Sequence, residues 1–147
     1  MLFRSILNNI GVVRREMGQL ADSEAAHRRV IALAPGFVFG YYNLGHTLFL
    51  AGRFAEALAA YEEGQQRDPE RNRRQACRLA LARFASGDEA GAERDFWRAA
   101  DTAPADERED LLLEAYEIAQ AVVRSKPELA NQAFIARIAA GIRASRT

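Results

Sequence analysis

Few residues in this chain have the chemistry of a reactive site. Its only thiol is Cys77 and its only imidazoles are His27 and His46. A cysteine and a histidine can form a thiolate–imidazole pair when the fold brings them together and a third group orients the base. No residue in the sequence suggests that third group, so His46 and Cys77 read as surface-lining residues and His27 as a packing residue. The acidic pairs Glu62–Glu63 and Asp106–Glu107 read as solvated helix faces or caps, since carboxylates mostly stay outside. Arg71, Asn72, Arg73 and Arg74, followed by Arg78, form the one basic cluster. It is short and lacks the interleaved aromatics of a nucleic-acid platform. The chain has no phosphate-cradling glycine loop, no His-Glu-x-x-His, no Cys-x-x-Cys and no Gly-x-Ser-x-Gly. No catalytic residue, metal or cofactor is expected.

The elements that must carry these residues follow from composition and punctuation. The chain has 147 residues, 20 basic and 20 acidic, with no formal net charge. One domain's length and a neutral balance argue against nucleic acid as the partner. A single cysteine supports no internal disulfide, and no run of 18 apolar residues suggests a membrane span. A secretory signal is not evident either, because Arg4, Asn8, Asn9 and Arg14 interrupt the apolar start. The expected location is therefore the cytoplasm. There are 29 alanines, and 19 of the 20 basic residues are arginine. Both are strong helix formers, which predicts an all-α fold. The arginine bias fits a GC-rich genome.

A repeat organises the helices. Gly18, Gly52 and Gly87 lie 34 and 35 residues apart, and Pro35, Pro69 and Pro104 keep the same separations. Each glycine falls between two helix-length segments and each proline follows the second. A glycine closes a helix at a left-handed cap and a proline cannot continue one. The unit is thus helix, tight turn, helix, stop. The middle unit has Tyr41, Leu44, Gly45, Leu48, Gly52, Phe54, Ala57, Tyr61, Gly64 and Pro69. This resembles the tetratricopeptide repeat, with small residues where two helices cross and aromatics around the crossing. Leu7, Ile10, Gly11, Gly18, Leu20, Ser23, His27, Val30 and Pro35 repeat the scheme. So do Ala76, Leu79, Ala80, Gly87, Ala92, Phe96, Ala99 and Pro104, after a one-residue insertion near Asn72. The departures are Arg14 and Arg83 for an aromatic, Ser23 for alanine and Glu89 for an apolar residue.

The expected architecture is an α-solenoid of three such units, at about 4–37, 38–71 and 73–106, with residues 107–147 as a C-terminal helical cap. Asp106 and Glu109 suggest a capping box opening a long helix that is apolar nearly all round. Pro127 then suggests the first turn of a last helix, amphipathic through Leu129, Phe134, Ile138 and Ile142. At the other end Leu2, Phe3, Ile6, Leu7 and Ile10 open straight into a unit. Leu2-Phe3-Arg4-Ser5 also reads as a translated sequencing adapter. Both suggest a frame truncated upstream with earlier repeats missing. They also raise self-association through the uncapped first helix.

The resemblance implies where function lies, because the first helix of each unit lines a concave binding surface. That surface takes Asn8, Asn9, Val12 and Arg15 from the first unit, and Phe39, Tyr42, Asn43, His46 and Phe49 from the second. The third supplies Arg74, Cys77, Arg78, Leu81 and Phe84. Aromatic and arginine side chains in a groove suit peptide anchoring. Some members of the family clamp a partner's C-terminal carboxylate with Lys, Asn and Arg from three units. Asn43, Arg74 and Arg78 match that clamp, whereas Asn8 and Val12 depart from it. Asn9 and Asn43 instead share a column, as in the asparagine ladder of repeat arrays before O-linked glycosyltransferase domains. The expectation is a non-enzymatic scaffold or adaptor holding an extended protein or peptide partner. The alternative is the substrate-recruiting repeat region of a larger or truncated enzyme.

Overall fold

The computed structural model describes residues 2–147, and among them every regular element is helical. The helices are α1 (Leu2–Glu16), α2 (Leu20–Leu33), α3 (Val38–Leu50), α4 (Phe54–Arg67), α5 (Arg73–Ala85), α6 (Glu89–Ala100), α7 (Ala105–Ser125) and α8 (Ala133–Ser145). A single 3₁₀ turn, Pro127–Leu129, separates the last two. The chain forms two compact units, residues 1–71 and 72–147.

The repeat glycines sit where the punctuation puts them. Gly18, Gly52 and Gly87 take φ of 77°, 76° and 93°, a conformation that side chains with a Cβ rarely adopt. Each therefore turns one helix back on its partner. The insertion near Asn72 coincides with Arg71, whose φ is 50°.

In the first unit α1 packs on α2, α2 on α3 and α3 on α4, while α1 also touches α3. The α3–α4 crossing is held by the residues the repeat pattern singles out. Ala57 and Tyr61 are buried, with Tyr41, Leu44 and Leu48 around them. A Cβ on Gly45 would lie 3.0 Å from the Tyr61 ring, and one on Gly64 only 2.6 Å from Tyr42. Those glycines let the helices approach closely. His27 takes the equivalent place at the α1–α2 crossing, fully buried against Gly11. Ser23, where the pattern has alanine, is buried too and shares a 2.9 Å hydrogen bond with Thr47 of α3.

In the second unit α5 pairs with α6 through Leu79, Ala80, Ala92 and Phe96, all buried. Arg83, the other departure from an aromatic, donates to Asp95 at 2.8 Å across the same pair. The long helix α7 is covered by α5, α6, α8 and the 3₁₀ turn, as its apolar circumference requires. Three details differ from the sequence reading. Asp106 lies inside the first turn of α7, whose N-cap is Pro104 with no side-chain cap bond. Leu129 belongs to the 3₁₀ turn, and α8 starts only at Ala133, where the Phe134 amide donates to Glu89 at 3.1 Å. Glu107, read as solvated, is ion-paired to Arg73 at 3.0 Å.

Candidate binding surface

The first unit brings α1 and α3 together on one polar face. Asn43 of α3 donates from Nδ2 to Asn8 Oδ1 at 3.2 Å. Arg15 of α1 donates from Nη1 to Asn43 Oδ1 at 3.4 Å and to the Asn43 carbonyl at 3.5 Å. The spacing from Asn8 to Arg15 is two helical turns, so both fall on the side of α1 turned toward Asn43. Phe39, one turn before Asn43, is 46% exposed. It is steadied by edge contacts to Phe37 at 5.8 Å and Tyr42 at 6.4 Å. Asn9 is exposed, and Val12, His46 and Phe49 are half-buried. Phe49 leans on Phe54 at 4.9 Å.

Tyr42 has a different role. It is buried, and its hydroxyl donates to Asp68 at 2.8 Å, with Asp68 also accepting from the Glu70 amide at 3.0 Å. Burial and the adjacent carboxylate both raise its phenol above the ordinary range. It ties α3 to the end of α4 and gives a partner almost no surface.

The second unit closes over its own share of the expected groove. Arg78 donates from Nε to Glu114 at 2.7 Å, Arg74 lies 3.5 Å from the same carboxylate, and Arg73 bonds Glu107. Leu111, Glu114, Ala115 and Ile118 of α7 stand over Cys77 and Leu81. Leu81 is 1% exposed, Cys77 4%, and Phe84 is buried. The sequence reading placed these residues where a ligand lies, and α7 occupies that place instead. Glu114 is the residue it missed, and Glu107 the one it read as solvated. They are seven apart on one face of α7, and that spacing beside Arg73, Arg74 and Arg78 was the available signal.

Burial, reinforced by Glu114 and Glu107, pushes the Cys77 thiol up to about 12. A neutral, covered thiol is not a nucleophile, and Cys77 lies in a different unit from His46. In the folded protein Cys77 is expected to resist iodoacetamide at pH 8 and to alkylate fully in denaturant, as mass spectrometry would show. Rapid labelling without denaturant would mean that α7 does not stay on α5. Among the described residues no His, Cys, Asp and Glu cluster could hold a metal ion, and no helix is long and apolar enough to cross a membrane.

Stacked helix pairs with glycine turns and small residues at the crossings define an all-α fold of the tetratricopeptide type. The comparisons agree: residues 38–71 match the tetratricopeptide repeat family, so the chain carries a tetratricopeptide repeat there. A solved structure of the Yersinia enterocolitica type III secretion translocator chaperone SycD, in an alternative dimer, has the same fold. It is 19% identical and superimposes with a TM-score of 0.70, covering 86% of this chain and 96% of that one. No curated protein matches the sequence.

Proposed function

We propose that this chain is a non-enzymatic protein-binding adaptor whose partner lies extended along the shared α1–α3 face of the first unit. The observation that carries this reading is the Asn8–Asn43–Arg15 network set beside exposed Phe39 and Asn9. The half-exposed Asn43 amide and Arg15 guanidinium, braced by buried Asn8, suit the peptide backbone, which offers a donor and an acceptor at every residue. Phe39 supplies apolar area for an anchoring side chain. Val12, His46 and Phe49 complete the face. The tetratricopeptide match supports a binding role, and so does a fold shared with a protein described as a translocator chaperone.

The carboxylate clamp is the less favoured mode, because Arg74 and Arg78 already share Glu114. A tail carboxylate would have to displace that glutamate. The two modes separate in a peptide library displayed once with free C-terminal carboxylates and once amidated. Backbone capture predicts equal binding to both sets. Phe39→Ala and Asn43→Ala should each weaken it about tenfold or more, with the helix content unchanged. Arg78→Ala should leave it intact. Selection of free acids alone, lost in Arg78→Ala, would establish the clamp instead. Failure to enrich any peptide would leave the adaptor reading without support and favour the repeat region of an enzyme.

A further inference from the structure

The face of α1 opposite Asn8 and Arg15, continued by Met17 in the turn that follows, is apolar and uncovered. Leu2, Phe3, Ile6, Ile10, Val13 and Met17 are each between 45% and 74% exposed. From Phe3 onward they are spaced three, four, three and four residues apart, the a/d rhythm of a two-helix seam. At roughly 200 Å² for each side chain, their exposed fractions amount to on the order of 700 Å². A single apolar patch on a monomer reaches about 300–600 Å², whereas each partner in a stable pair contributes about 800 Å².

The repeat itself shows how this face differs from an ordinary stacking face. One repeat later, Ile6, Ile10 and Val13 correspond to Gly40, Leu44 and Thr47 of α3, which are buried. There a Cβ on Gly40 would lie 3.2 Å from both Val30 and Ile31 of α2, and Thr47 bonds Ser23. Gly40 and Thr47 are thus fitted to a closely approaching helix of the preceding repeat. Ile6 and Val13 put β-branched bulk at those two positions, which holds a neighbour further off and suits knobs-into-holes packing.

We propose that this stripe is a homodimer interface, in which α1 of one chain packs antiparallel against α1 of a second copy about a two-fold axis at Ile10. The stripe is its own complement in that arrangement: Ile10 meets Ile10, Ile6 meets Val13, and Phe3 meets Met17 of the other copy. Such an isologous contact closes at two chains. The antiparallel sense follows from charge. The first turn of α1 has no acidic residue and its last turn carries Arg14 and Arg15. Arg15 faces Asn43, away from the stripe, but Arg14 flanks it. A parallel pair would set the two Arg14 side chains near each other, while the antiparallel pair separates them.

Light scattering after gel filtration over a wide concentration range tests the pairing. The expected mass is twice 16.3 kDa, and Ile10→Glu should weaken the dimer at least a hundredfold while circular dichroism keeps its helical signal. If Ile10→Glu does not fold, Val13→Glu serves the same purpose. Mild oxidation tests the geometry, since Cys77 is buried and takes no part. Ile10→Cys should form an intermolecular disulfide and Phe3→Cys should not, but the Phe3→Cys/Met17→Cys double variant should. A concentration-independent mass of one chain would overturn the proposal and leave the stripe to a preceding helical unit. A dimer untouched by both glutamates would also overturn it. Cross-linking through Phe3→Cys alone would replace the antiparallel sense with the parallel one.

Discussion

Lowering the pH from 6.5 to 4 should cost the first unit about 3 kcal/mol of stability, and His27→Phe should remove that loss. His27 is fully buried at the α1–α2 crossing, and neither ring nitrogen has a hydrogen-bond partner. Burial, with Arg15 adding to it, lowers the imidazole from 6.5 to about 4. An unfolded chain takes a proton on this side chain near pH 6.5, which the folded chain refuses until about pH 4. Stability from this group is therefore whole above pH 6.5, falls as the pH drops between the two values, and levels off below pH 4. The native state binds fewer protons throughout that window, so the slope has one sign.

The variant has a precedent within the chain. Position 27 corresponds to Tyr61 one repeat later, where an aromatic ring sits against Gly45 as His27 sits against Gly11. A phenyl ring would keep that packing and remove two unpaired nitrogens, each of which costs about 1–3 kcal/mol to bury. His27→Phe is expected to unfold at higher urea than the natural protein at pH 7, and the gap should widen at pH 4.5. Circular dichroism follows this best, because the one tryptophan, Trp97, belongs to the other unit. An unchanged pH slope in the variant would show that His27 is not the group responsible.

The same position illustrates what was legible in the sequence. The turns could be read because a left-handed backbone demands glycine, and Gly18, Gly52 and Gly87 recur at one interval. The crossings could be read because Gly45, Ala57 and Tyr61 have sizes that only a close helix approach explains. All of this is local, within one repeat. The share of the surface on α5 was not legible, because it depends on where a helix some 35 residues away comes to rest. Arg74, Arg78 and Leu81 sit in the register of groove residues, and nothing in that register says whether a partner or α7 covers them. On α1 and α3 the same register gave Asn8, Asn43 and Arg15 one face. It also gave Tyr42 a place there, although the Asp68 hydrogen bond takes it into the core.

The closure of the second unit rests on one ring. Phe134 is fully buried, 5.4 Å from Phe84 of α5 and 5.6 Å from Phe96 of α6 by ring centroids. Its amide, one of the free donors in the first turn of α8, is taken up by Glu89. Removing a phenyl group from so enclosed a site loses its transfer energy and leaves a cavity that three helices cannot easily fill. Phe134→Ala should therefore destabilise the second unit by about 3–5 kcal/mol. Arg137, one turn along α8, makes a suitable comparison. It is paired with Glu93 and lies over Trp97 at 5.1 Å, but it is exposed. An exposed ion pair contributes about 0–1 kcal/mol, so Arg137→Ala should change little. Trp97 fluorescence reports both, because its ring lies 5.1 Å from the Arg137 guanidinium and 5.0 Å from Phe96 of the same aromatic cluster. If Phe134→Ala shifts the urea midpoint no more than Arg137→Ala does, the aromatic cluster is not what holds α8. The contacts of α8 with α7 would then have to carry it, through Ile138 and the close approach of Gly141 to Leu112.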